Sequence, residues 1–218
     1  MGKLEWMLQA IRNSGRSIRN LWRYHLQRHA LNNLPNEKIR KIVIGSSGTG
    51  FKDWVSTDQN VLNLVEQKAW SHFLEPDCLD AILAEHVWEH LKPDEAIVAA
   101  KTCYKYLKPT GYLRVAVPDG FHPDPAYIKW VQPGGTGPGA DDHKVLYTYA
   151  SFCDLFTSVG FEVRLHEYFD ELGQFHYNEW DPAGGMIVRS KRFDDRNSAG
   201  KLIYTSIVID AIKPDMAG

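Results

Sequence analysis

Apolar residues recur at helical spacing over residues 3–31, where Leu4, Met7, Leu8, Ile11, Ile18, Leu21, Trp22 and Leu26 fall near one face. Gly15, within Asn-Ser-Gly, predicts a break or bend, and Asn32-Asn33-Leu34-Pro35 predicts the end of that helical segment. From Lys41 the period shortens. Ile42, Val43 and Ile44 form a β-branched strand that runs into Gly45, Gly48 and Gly50, and a second short run, Trp54 to Thr57, ends on Asp58. Parallel neighbours are usually joined by a dozen or more residues. Gly45–Asp53 supplies nine, so the first crossover helix is expected to be reduced to a turn. Val61–Leu64 predicts a vestigial strand, and Gln67–Leu74 a short helix with Trp70 and Phe73 inward.

Leu79–Ala84 reads as a buried strand after the turn residues Pro76 and Asp77. Pro93–Leu107 reads as a helix: Pro93 suits the first helical position, Asp94 and Glu95 its positive end, and Ile97, Ala100, Tyr104 and Leu107 form an apolar stripe. After the turn Lys108-Pro109-Thr110-Gly111, Tyr112–Val117 is the next buried strand, completing a βαβ unit of an α/β fold. Residues 118–143 hold five prolines and five glycines and predict a long functional or disordered loop. Val145–Val159 predicts a helix stopped by Gly160, with Asp141 or Asp142 as an alternative N-terminal cap. Phe161–Phe169 alternates as a half-exposed strand, and Leu202–Ile212 is the last strand. The aromatic and charged insertion 170–200 between them matches no element pattern.

The chain's 218 residues suit one well-buried domain better than two, and its 44% apolar and 24% charged content is that of a soluble globular protein. No apolar run reaches the roughly 18 residues of a membrane span, and Glu5, Gln9 and Arg12 interrupt any signal-peptide core. Cys78, Cys103 and Cys153, odd in number and without CxxC spacing, predict free thiols and a cytoplasmic location. The net charge is −2, yet residues 1–34 carry six basic side chains against one acid. That basic helical arm, set against residues 35–218 as the main domain, predicts either surface contact with a phosphate, membrane or acidic partner, or merely a solvated face.

Candidate chemistry centres on Lys41–Asp58. Strand, glycine-rich turn, strand and acid can hold a nucleoside at the carboxyl edge of a sheet, with Asp58 accepting from the ribose hydroxyls, although an ordinary tight turn has the same pattern. His86-Val87-Trp88-Glu89-His90 spells HxxEH, a zinc motif when carried on a long helix. Here it follows directly on a buried strand, so a short turn and no metal are expected. Gly45–Lys52 approaches a phosphate-binding loop, but Phe51 stands where lysine is required.

Four stretches in order, IVIGSSGTG (42–50), VSTD (55–58), LDAILAEHVWEHL (79–91) and YKYLKPTGYLRVAVPDG (104–120), resemble the class I S-adenosylmethionine-dependent methyltransferases, especially small ones of the methyltransferase type 11 group. The resemblance implies a Rossmann-like, mostly parallel seven-stranded sheet with an antiparallel last strand, the third strand possibly abbreviated, and S-adenosylmethionine bound at the carboxyl edge. It implies that Gly45, Ser46, Ser47 and Gly48 form the cofactor loop, Asp58 the ribose acid and Asn63-Leu64 the adenine segment. Glu85-His86 would lie beside the methionine end. Two positions depart from the family pattern, Val43 replacing an acid and Ser47 a glycine, and both bear on how the methionyl amino group is held: the expectation is either weak cofactor binding or its completion by Asp119 or another loop group.

On the acceptor side, methyl transfer needs alignment, water exclusion and, for a hydroxyl or amine, a proton acceptor. Asp142-His143 is the expected carboxylate-oriented base. His122 and Asp124 in the Pro/Gly-rich loop, and His176, Tyr177 and Trp180 in the insertion, are the expected substrate residues. Nothing in the spacing of His122, Asp124 and His143 demands a metal. No basic, aromatic-rich groove marks sequence-specific nucleic-acid binding. The expected activity is methyl transfer to a small-molecule or glycan-like acceptor, and the alternative is a non-catalytic nucleoside- or partner-binding module on the same fold.

Overall fold

The computed structural model describes residues 3–198 and 200–215, with side chains described from residue 18 onward in the first helix. The basic Lys3, Arg12 and Arg16 and the apolar Leu4, Met7, Leu8 and Ile11 therefore lie outside the described side chains. Helix α1 (Lys3–Asn33) continues through Gly15 without the expected break. One interior glycine costs only about 1 kcal/mol relative to alanine, which the flanking helical turns tolerate. The helix ends where Asn33 gives way to a 3₁₀ turn at Leu34–Asn36, with Pro35 in its first positions.

The apolar face of α1 noted in the sequence is not, from residue 18 onward, the one that packs. Leu31 and Leu34 are buried in the main core with Tyr24 against it, whereas Ile18, Leu21, Trp22 and Leu26 are 58–66% exposed. The C-terminal turns of the arm are thus part of the core of residues 35–218.

Seven strands form one sheet in the order β2-β1-β3-β4-β7-β5-β6: β1 (Lys41–Ile44), β2 (Val55–Ser56), β3 (Leu79–Glu85), β4 (Leu107–Pro118), β5 (Glu162–Phe169), β6 (Phe175–Tyr177) and β7 (Ser206–Ile212). β1 pairs parallel with β2 and β3, and β3 with β4; β7 runs antiparallel to both β4 and β5, so β1–β5 share one direction. No helix joins β1 to β2, as the short connection required. The return is feasible because β2 pairs only Val55 and Ser56 with Ile42 and Val43, a path back of about 7 Å at roughly 3.3 Å per residue. Val61–Leu64 forms turns, not a strand, so the edge beyond β2 is unextended and the seventh strand is instead β6, hairpinned onto β5 from within the insertion.

Alternation along the strands separates two apolar layers. Ile42, Ile44, Ile82, Val115, Val117, Ile207 and Ile209 face α3 (Pro93–Tyr106), α5 (Tyr149–Val159) and the end of α1. Phe152 and Phe156 of α5 and Trp88 are fully buried there, each contributing on the order of 2–3 kcal/mol. Gly160 stops α5 in the left-handed region at φ +107°, as expected, but Thr148 rather than Asp141 or Asp142 caps its start, accepting from the Ser151 N–H.

On the opposite face Val43, Leu83, Ala116 and Val208 are covered by Trp180 and Ile187 of the insertion. Arg114 of β4 lies opposite Asp210 of β7 and donates to both its oxygens at 2.7 and 2.8 Å. Arg114 Nη1 also donates to the carbonyls of Asp181 and Gly185 at 2.7 and 2.9 Å, pinning the insertion to the sheet. His166 completes the cluster at 2.9 Å from Asp210. Burial opposes charge on Asp210, but the hydrogen bonds from Arg114 and His166 win and hold its carboxyl below the usual range.

The stretch 118–143 is more ordered than expected. It contains α4 (Pro125–Val131), where Asp124 accepts from the Ala126 N–H as N-cap and Pro125 takes the first helical position.

Candidate functional site

The carboxyl ends of β1 and β3 open onto two cavities. The first, about 740 Å³, is bounded by Gly45 and Ser47 after β1, by Asp58, Gln59, Asn60, Leu62, Asn63 and Leu64 after β2, by Asn20 and Arg23 of α1, and by His86, Val87, His90 and Leu91 after β3. The second, about 670 Å³, is lined by Glu85, His86, Glu89 and His90, by Trp130 and His143, and by Arg189 and Asp194–Arg196 of the insertion with Tyr204. Ser47, His86 and His90 belong to both walls.

The loop after β1 turns sharply, with Gly45 at φ +64°, Ser47 at +49° and Gly48 at +92°. A Cβ on Gly45 would stand 2.6 Å from Val87 Cγ2, so glycine there is required by both backbone and packing. Ser47 adopts the left-handed conformation that glycine would hold more cheaply. Asp58 organises this loop. Its Oδ1 accepts from the Ser47 N–H at 2.7 Å and the Ser46 hydroxyl at 3.2 Å. Its Oδ2 accepts from Gln27 Nε2 at 2.8 Å, with Arg23 at 3.7 Å, and Gln27 Oε1 in turn accepts the Asp58 N–H at 3.1 Å. Asn63 turns its amide onto Glu66 and Val65, while Leu62 and Leu64 are buried beside it.

After β3, Glu85 accepts from the backbone N–H groups of Val188 and Arg189 at 2.9 and 2.7 Å, and so anchors the insertion at the rim. His86 sits at φ +55°, an uncommon backbone for a non-glycine residue, of the kind that collects at functional sites. Its Nε2 is 2.9 Å from the Ser206 hydroxyl and its Nδ1 is 3.2 Å from Glu89 Oε1. Glu89 is 1% exposed, on the 3₁₀ turn Trp88–His90, a turn and not the helix that a zinc-protease motif needs. Burial alone would push its pKa up, yet the charge of the neighbouring His86 and, less so, His90 holds it below the usual range.

His143 lines the second cavity, but its Nδ1 meets the Val131 carbonyl at 2.6 Å and not Asp142. The carbonyl only accepts, so Nδ1 carries the proton and Nε2 the lone pair. Asp142 instead binds Lys144 Nζ at 2.6 Å and lies 3.4 Å from His90 Nδ1, so the expected Asp142–His143 pair is not formed.

The other expected substrate residues lie elsewhere. His122 is buried and stacked on Tyr127 at 3.9 Å, and burial lowers its pKa. Asp124 is committed to capping α4. His176 pairs with Asp170 at 2.7 Å, Tyr177 lies under Lys191, and Trp180 is buried with its Nε1–H on Glu167 at 3.0 Å. None of the five lines either cavity. Asp119, expected to complete cofactor binding, spends its oxygens on the Phe121 and Phe169 N–H groups, and burial pushes its carboxyl up to about 6. The walls that sequence reasoning missed come from α1 (Asn20 and Arg23, with Gln27 behind Asp58), from α4 (Trp130) and from the end of the insertion. In that last segment Asp194 binds Arg196 through two hydrogen bonds of 2.8 and 2.6 Å, and the Arg196 guanidinium lies 3.6 Å over Tyr204.

Five strands in one direction, a last strand inserted antiparallel between two of them, and a glycine loop at the carboxyl edge of β1 decide the architecture. The fold is that of a class I S-adenosylmethionine-dependent methyltransferase. No family model matches the chain, and no curated protein matches it. Solved structures similar to it include an S-adenosylmethionine-dependent methyltransferase from Archaeoglobus fulgidus, 15% identical, with 89% of this chain and 94% of that one covered at a TM-score of 0.47. Another, from Methanosarcina mazei, is 12% identical over 82% of this chain and 94% of its own, also at 0.47. These are loose likenesses, and the fold assignment rests on strand order and register.

Proposed function

We propose that this chain transfers a methyl group from S-adenosylmethionine to a small-molecule or glycan-like acceptor. The observation that carries the reading is the junction of the two cavities at Ser47, His86 and His90. One cavity has the carboxylate, glycine turns and apolar Leu62 and Leu64 suited to a nucleoside; the other has the charged and imidazole groups suited to a polar acceptor. When bound, the cofactor supplies an electrophilic methyl group on a sulfonium centre.

The residues fit such a ligand. Asp58 Oδ2 can exchange the Gln27 amide for a ribose hydroxyl, and Leu62–Leu64 offer an apolar wall with a backbone edge. Arg23, whose guanidinium stands 2.8 Å from where a Cβ of Gly48 would be, brings positive charge to the loop for a carboxylate. On the acceptor side, Trp130 and the 186–196 segment exclude water, and Arg189 and Arg196 orient polar groups. His143 Nε2 holds the free lone pair positioned to take a proton.

Calorimetry with S-adenosylhomocysteine tests the proposal: micromolar binding supports it, and no binding at millimolar ligand refutes it. A second reading, a nucleoside- or partner-binding module without turnover, is favoured by the fact that both Asp58 oxygens already have protein partners. Cofactor binding with no methyl transfer across a panel of polar acceptors would select it.

A further inference from the structure

Glu89 is buried against the floor of the second cavity, and neither of its carboxylate oxygens has a hydrogen-bond partner among the described residues. His86 Nδ1 stands 3.2 Å from Glu89 Oε1, an ion-pair contact. A buried carboxylate held by one ion-pair contact has lone-pair sites to spare for a further partner. Two imidazoles face the same space. His90 and His143 meet edge to face with ring centres 4.7 Å apart, and one ligand atom from each of Glu89, His90 and His143 lies within 4.8 Å of the other two.

Both rings are oriented from behind. His143 Nδ1 gives its proton to the Val131 carbonyl, and His90 Nδ1 is 3.4 Å from Asp142 Oδ2. In its neutral form a ring held this way presents a lone pair on Nε2, the arrangement in which a carbonyl or carboxylate fixes a metal-binding histidine.

We propose that Glu89, His90 and His143 bind a divalent first-row transition metal ion in the acceptor half of the cleft. Two imidazole nitrogens and one carboxylate oxygen favour zinc, cobalt, iron or manganese over magnesium and calcium, which prefer all-oxygen sites. Three protein ligands leave coordination positions open to the cavity, so the ion can take water or an acceptor oxygen there. The site does not depend on the methyl-transfer reading, but its use does. On that reading a hydroxyl bound to the ion loses its proton to solvent near neutral pH, and His143 serves as ligand instead of base.

The HxxEH motif therefore contributes Glu89 and His90 rather than its two histidines. The third ligand arrives from 53 positions further along the chain.

The test uses the full chain, freed of any purification tag and stripped with a chelator. Cobalt(II) is titrated and its visible absorption followed. One ion per chain with low-micromolar or tighter affinity is expected, displaced by zinc and not by magnesium. His90→Ala and His143→Ala should each weaken binding by at least about tenfold, with circular dichroism unchanged. His176→Ala, a control away from the cleft, should leave binding alone. Glu89→Gln keeps the shape of the buried side chain and should also weaken the ion. No cobalt or zinc binding, or binding undiminished in a folded His90→Ala/His143→Ala double variant, overturns the proposal. S-adenosylhomocysteine calorimetry on the same metal-free samples reads the methyl-transfer proposal separately, so the failure of one is not the failure of the other.

Discussion

Replacing Asp58 with alanine probes the nucleoside end of the cleft, and the structure sets the size of the expected effect. A free carboxylate facing a ribose would offer one oxygen to each hydroxyl. In this chain Oδ1 is committed to the Ser47 N–H and the Ser46 hydroxyl, which hold the glycine loop. Only Oδ2 is exchangeable, because its partner Gln27 is a neutral side-chain amide on another element. The ligand therefore gains one charge-assisted hydrogen bond, worth about 1.5–3 kcal/mol. At about 1.4 kcal/mol per decade, Asp58→Ala should weaken S-adenosylhomocysteine roughly ten- to hundred-and-fifty-fold. Two such bonds, about 3–6 kcal/mol, would have given roughly a hundred-and-fifty- to twenty-thousandfold effect.

Isothermal calorimetry on wild type, Asp58→Ala and Gln27→Ala makes the measurement, with circular dichroism to confirm folding. Gln27→Ala leaves the carboxylate in place and removes its competitor, so it should not weaken binding. Unchanged affinity in folded Asp58→Ala would refute the assignment of this carboxylate to the ligand. A loss in Gln27→Ala as large as in Asp58→Ala would show that the α1 contact, and not the carboxylate, is what the ligand needs.

Asp210→Ala strands the buried Arg114 guanidinium and should cost about 3–5 kcal/mol in urea unfolding; a loss below about 1 kcal/mol would refute the view that this pair holds the insertion. Because the folded-state pKa of Asp210 lies below its ordinary value of 3.8, its contribution is present above pH 3.8 and lost as pH falls through the folded value. The gap between wild type and Asp210→Ala in acid unfolding should accordingly narrow below about pH 4. Gly45→Ala forces a Cβ against Val87 at positive φ and should destabilise by about 1–3 kcal/mol. Val87→Ala in the same chain should restore part but not all of that loss, since it removes the clash and leaves the backbone strain. Full restoration would mean that the conformation at Gly45 costs nothing.

The sheet was legible in the sequence because its signals are local. The β-branched run at 42–44, the apolar runs at 79–84 and 112–117, the proline and acids that open α3, and Gly160 after α5 each act within a turn or two of themselves. The nine-residue connection after β1 likewise predicted the missing crossover helix from chain length alone. α4 had a local signal too, the cap-and-proline pair Asp124-Pro125, obscured by the prolines and glycines around it.

Only tertiary structure decided which face of α1 packs, because an apolar stripe at helical spacing reports a face but not the surface it meets. Only tertiary structure placed Gln27 and Arg23 on Asp58, turned His143 away from its neighbour Asp142 toward Val131, and brought Glu89, His90 and His143 to one point. A side chain chooses among partners by direction and distance in space, and adjacency in sequence constrains neither. The sequence by itself determined that a glycine loop and an acid would stand at the carboxyl edge of β1. Packing determined what closes over them, because the walls of the cleft are assembled from segments more than a hundred residues apart.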